Sequence, residues 1–81
     1  MKSKYIIVRQ SGSNFFMPFV FSDICTHSDI ARAVGGIVVG AGFCFLVNTG
    51  YHCYGESISC QVKSNGDEDS KILNRMLGVD K

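Results

Sequence analysis

Two histidines, His27 and His52, and the cysteines Cys25, Cys44 and Cys53 are the side chains of this 81-residue chain best suited to holding a soft metal ion. Zinc sites bring their ligands in close pairs, two pairs to a site. Cys25-x-His27 and the adjacent His52-Cys53 do not have that spacing, so no metal and no other cofactor is expected. His27 reads instead as an exposed residue of a first helical turn, and His52 as the neighbour of a hairpin turn. Tyr54-Gly55-Glu56-Ser57 sets a carboxylate beside a hydroxyl, with Cys53 close by. Nucleophilic catalysis needs the base within hydrogen-bond reach of the nucleophile and a third group to orient it. Consecutive strand residues point to opposite faces, so Glu56 serves Ser57 only if a bulge turns it. Gly35, Gly36, Gly40 and Gly42 lack the spacing of a nucleotide-binding loop. No catalytic residue is assigned, and the chain is not expected to be an enzyme.

Composition narrows the remaining classes. A hydrophobic share of 46% suits a folded domain, and the length suits a single domain over residues 1–81 with one small core. Eight basic residues against seven acidic ones leave a net charge of +1, without the basic stripe of a duplex binder. Nucleic acid is therefore not the expected partner. A small nucleic-acid-binding module remains the alternative if Lys2, Lys4, Arg9 and Lys63 cluster near Tyr5, Tyr51 or Tyr54 as stacking platforms. The apolar run Tyr5 to Val8 is too short for a signal-peptide core. Ala33 to Val47, broken by glycines, is shorter than the roughly 20 residues of a membrane helix. A cytoplasmic protein without a membrane partner is expected, and reduced thiols are the default there. Cys60 reads as a small core hydrophobe, while Cys44 and Cys53 fall on opposite arms of one hairpin and can lie near each other.

The elements that must position these residues follow from pattern. Lys4 to Gln10 and Phe15 to Ser22 are strands rich in β-branched and aromatic residues, joined by the turn cluster Ser11 to Asn14. Pro18, with no N–H, marks the second as an edge strand. Thr26 caps a short helix that Gly35 ends, with Asp29 in its first turn and Ile30, Ala31 and Val34 on one face. Gly36 to Val47 and Tyr51 to Val62 form a long hairpin around Asn48-Thr49-Gly50; the glycines at 40, 42 and 55 mark bulges or close approaches. Ser64 is the expected cap of a last helix that carries Asp67, Glu68 and Asp69 at its start. Ile72, Leu73, Met76 and Leu77 form its apolar stripe, Gly78 stops it, and Val79-Asp80-Lys81 is expected to fray. The order ββαββα implies an α+β fold: a four-stranded, mainly antiparallel sheet with two short helices on one face.

That architecture leaves one sheet face bare, although the strands are apolar on both. Phe43, Phe45 and Val47, for example, alternate with Cys44 and Leu46. Curvature of the sheet, self-association as a homodimer, or a partner protein can cover what the helices do not. Aromatic side chains usually dominate interface energetics. The expected partner-binding residues are accordingly Phe16, Tyr51, His52 and Tyr54.

The segments ICTHSDIARAV, GAGF and CYGESISCQVKS resemble small hypothetical proteins of bacteriophages and integrated mobile elements, and the similarity covers most of the chain. The resemblance names no activity and assigns no residue role. It implies a phage or mobile-element interaction protein that binds and inhibits a host protein complex, as anti-CRISPR inhibitors do with CRISPR-Cas or other defence systems. An obligate homodimeric structural domain is a further alternative.

Overall fold

The central strand of the sheet, β1 (Ser3–Arg9), explains the layout. Tyr5, Ile6, Ile7 and Val8 are all fully buried, so both of its faces are core. A strand buried on both sides needs cover on both sides. The computed structural model describes residues 2–78, and in it the sheet order is β2-β1-β3-β4, with every neighbour antiparallel. β2 is Phe16–Ser22, β3 is Ile37–Val47 and β4 is Gly50–Tyr54. Pro18 lies on an edge strand, where its missing N–H interrupts no inner ladder.

Helix α1 (His27–Val34) starts as its sequence predicts, with Thr26 Oγ1 accepting from the Asp29 N–H at 3.1 Å, and stops at Gly35. Its Ile30, Ala31 and Val34 pack with Phe19, Phe21 and Val38 against Ile6, Val8 and Ala41. Helix α2 (Asp67–Met76) packs Leu73 and Ile72 against Tyr5, Ile7, Cys44 and Cys53. Tyr5 and Ile7 point away from Ile6 and Val8, so the two helices lie on opposite faces. The expectation of both helices on one face is corrected here. A strand with no polar face cannot leave one side to solvent, and each helix shields one.

The hairpin is also shorter than its sequence suggests. Gly55, at φ 80°, turns the chain out of the sheet after Tyr54. The rest of the expected fourth strand becomes a separate two-stranded ribbon, β5 (Glu56–Ser57) with β6 (Val62–Lys63). Cys60 accordingly lies in the turn of this ribbon, half-buried, instead of on a strand. A register shift between Ile7 and Val8 skips Val39 of β3, which places the bulge beside Gly40. The space left at Gly40 takes the Asp69 carboxylate, whose Oδ2 would stand 2.7 Å from a Cβ there.

Helix α2 begins at Asp67 with Gly66 at the cap and no side-chain cap bond, so the expected Ser64 cap is corrected. Ser64 Oγ instead shares a 2.7 Å hydrogen bond with the Tyr5 hydroxyl and accepts from the Gly66 N–H. Asp69, expected to decorate the helix start, is buried and receives the Tyr5 hydroxyl at 2.5 Å and the Asn65 N–H at 3.0 Å. Burial and the adjoining Asp69 carboxylate push the Tyr5 phenol well above its ordinary range. The expectation for Val79-Asp80-Lys81 lies outside the described residues.

Helix α2 also covers the free edge of β4. Asn74 Oδ1 accepts from the Tyr51 N–H at 2.6 Å, its Nδ2 donates to the Tyr51 carbonyl, and Ser70 Oγ accepts from the Cys53 N–H at 2.9 Å. Residues four apart on a helix share one side. Ser70 and Asn74 therefore satisfy edge groups that would otherwise recruit another strand.

Candidate interaction surface

His27 is buried, not exposed, because α1 lays its first turn against the sheet. Its Nε2 stands 2.7 Å from the Gly42 carbonyl, which can only accept, so Nε2 carries the proton. Phe21 and Phe43 meet the ring edge-on from either side. Desolvation lowers its pKa from 6.5; the bond to Gly42 opposes the shift and the nearby Lys4 ammonium adds to it. His52 is exposed beside the turn, with Nε2 3.0 Å from Thr49 Oγ1. Cys44 and Cys53 face each other across β3 and β4, beneath α2. Among the described residues no three His, Cys, Asp or Glu side chains gather as metal ligands would.

The segment from Cys53 to Ser57 does not converge on a reactive centre. Cys53 points into the α2 side of the core. Glu56 is exposed and pairs in register with Lys63. Ser57 is buried, and its Oγ accepts from the Cys60 N–H at 3.1 Å, closing the ribbon turn.

What the topology does assemble is an overhanging tongue. Strand β1 pairs with β3 only as far as Cys44, opposite Ser3, while β3 and β4 run on to Val47 and Gly50. The two-residue turn Asn48-Thr49 sets Phe45 opposite His52 and Phe43 opposite Tyr54. These four side chains share the α1 side of the sheet. Phe45 stacks on His52 with centroids 5.4 Å apart, and Phe43 stacks on Tyr54 at 5.8 Å. The Lys2 ammonium sits 4.7 Å from the centre of the Phe43 ring. Phe45, Leu46 and Val47 are successive and exposed, at 39%, 54% and 46%. Leu46 and Tyr51 form the other side of the tongue, with Tyr51 half-buried against α2.

The expected residues therefore divide. Tyr51, His52 and Tyr54 come together on β4, although Tyr51 faces away from the other two. Phe16 does not join them. It pairs with Arg9 at the far end of β1, where it lines a 240 Å³ cleft with Phe15, Ile72, Arg75 and Met76. Phe43, Phe45 and Leu46 belong to the surface and were not among the residues expected. The expected turn Asn48-Thr49-Gly50 is corrected here: Gly50 pairs with Val47, and this one-residue difference sets the odd-numbered aromatics of one arm opposite the even-numbered ones of the other. Comparison with protein-family models, with curated proteins and with solved structures found no match for the chain.

Proposed function

We propose that this chain is a binding protein that docks on another protein through its β3–β4 tongue. One observation carries the reading: three consecutive apolar residues, Phe45, Leu46 and Val47, stand exposed where the hairpin outruns the sheet. Such a run on a surface is a folding and solubility liability unless a function requires it. The rings beside it support a protein partner over a nucleic acid. One face of each ring is already taken by its cross-strand neighbour, and the Lys2 ammonium lies over Phe43, which reduces the free ring surface on which bases would stack. The resemblance to phage and mobile-element proteins makes a host protein complex, defence assemblies among them, the class of partner to test. Inhibition is then steric: the tongue occupies a groove that the complex needs open.

The test is the double substitution Phe45→Ser and Leu46→Ser. Both side chains are exposed, so the thermal midpoint stays within a few degrees of the parent. Affinity for the captured partner falls by roughly 30-fold or more, the scale of losing about 2 kcal/mol at an interface hot spot. Unchanged capture by the folded double variant rules the tongue out. Capture that weakens steeply with rising salt points to phosphate contacts and the nucleic-acid alternative. Sedimentation that depends on protein concentration, and is abolished by the same pair of substitutions, identifies the partner as a second copy.

A further inference from the structure

Cys44 and Cys53 are register partners on β3 and β4, both buried and both on the α2 side of the sheet. The hydrogen bonds of α2 show which kind of pair they form. The N–H groups of Tyr51 and Cys53 point away from β3, to Asn74 and Ser70. These residues therefore occupy the positions of an antiparallel ladder that exchange no hydrogen bonds with the neighbouring strand. Such pairs have Cα atoms roughly 4.5 Å apart and the closest side chains. That separation falls within the range of about 4.4–6.8 Å that a disulfide spans.

We propose that Cys44 and Cys53 are a modification site at which a small-molecule disulfide, of the glutathione class, closes a cross-strand bridge. Cys53 is 9% exposed and Cys44 is fully buried, so Cys53 reacts first. Its thiolate attacks one sulfur of the reagent, forming a mixed disulfide and releasing one reagent thiol. The Cys44 thiolate then displaces the second reagent thiol and forms the Cys44–Cys53 bond. The protein gives up two hydrogens and the reagent disulfide is reduced to two thiols. Burial pushes the Cys53 thiol up to about 11 and the Cys44 thiol up to about 12, so the reaction is slow at neutral pH and quickens as pH rises. Phe43 and Phe45 flank Cys44, and His52 and Tyr54 flank Cys53. The bridge therefore fixes the spacing of the strands that carry the exposed rings. The inference does not depend on what the tongue binds.

The experiment uses the full chain with Cys25→Ser and Cys60→Ser, which removes the two half-buried bystander thiols. It is incubated with oxidised glutathione at mildly alkaline pH and mapped without reduction. Chymotrypsin, cutting at Phe45, Leu46 and Tyr51, separates the two cysteines. The expected result is an intact mass lower by two hydrogens, linked Cys44 and Cys53 peptides, and a raised thermal midpoint that dithiothreitol returns to its starting value. With Cys44→Ala added, the glutathione adduct on Cys53 persists instead of resolving. A stable adduct on Cys53 when Cys44 is present overturns the proposal. Two thiols still free after prolonged treatment of the folded protein overturn it equally.

Discussion

Burial of His27 between Phe21 and Phe43 disfavours protonation of its imidazole in the folded protein, although the bond to the Gly42 carbonyl opposes this. The folded-state pKa lies below the 6.5 of the free side chain, so the unfolded chain takes up a proton that the folded one resists. Above that value both states are neutral and the group contributes no pH dependence. As pH falls below it, the unfolded state is favoured, and stability declines until the folded pKa is passed. The thermal midpoint should therefore drop as pH falls below about 6.5. His27→Gln, which can still donate to Gly42, should flatten that part of the profile; an unchanged slope assigns it to another group. The sequence placed His27 in a first helical turn, correctly, but not its burial. Periodicity locates a residue along α1, and only the docking of α1 says which side meets the sheet. Asp69 repeats the lesson. An acidic residue in a first helical turn ordinarily faces solvent, and nothing local shows that Gly40 leaves room for it against Tyr5.

Among the elements, α2 has two tasks, and its sequence advertises one. The stripe Ile72, Leu73, Met76 and Leu77 predicts a packed face; Ile72 and Leu73 pack, while Met76 and Leu77 remain exposed. Ser70 and Asn74 look like ordinary surface residues, yet they close the outer edge of β4. Asn74→Ala leaves the Tyr51 N–H and carbonyl without their partners in a half-buried place, which should cost about 1–3 kcal/mol in denaturant unfolding. It should also promote association through the bared edge, read as a rise in light scattering with concentration. A variant as stable and as monodisperse as the parent refutes this role. The break at Gly55 was half legible. A glycine inside a strand announces a bulge or an end, and the alternation of Ile58, Cys60 and Val62 argued for continuation. The positive φ at Gly55 decides for an end, and the ribbon closes on its own turn.

For the whole molecule, β1 is shared by two cores, and that ties them into one cooperative unit. Ile6 belongs to the α1 side and Ile7 to the α2 side, each fully buried. Ile6→Ala and Ile7→Ala should each cost about 2–5 kcal/mol, and in each variant far- and near-ultraviolet circular dichroism should melt at one temperature. Separate transitions would mean that the two sides fold independently. The order of the four sheet strands and two helices, the edge position of β2, the cap at Thr26 and the β3–β4 hairpin follow from the amino-acid sequence alone. Each depends on neighbours in the chain: a missing N–H, a side-chain oxygen within reach of the next turn, a turn cluster between two apolar runs; the one-residue register of that hairpin does not. The side of the sheet that each helix takes, the burial of His27 and Asp69, and the overhang of the tongue were settled only by tertiary structure. They depend on where segments distant in sequence come to rest, and an apolar strand such as β1 accepts cover on either face.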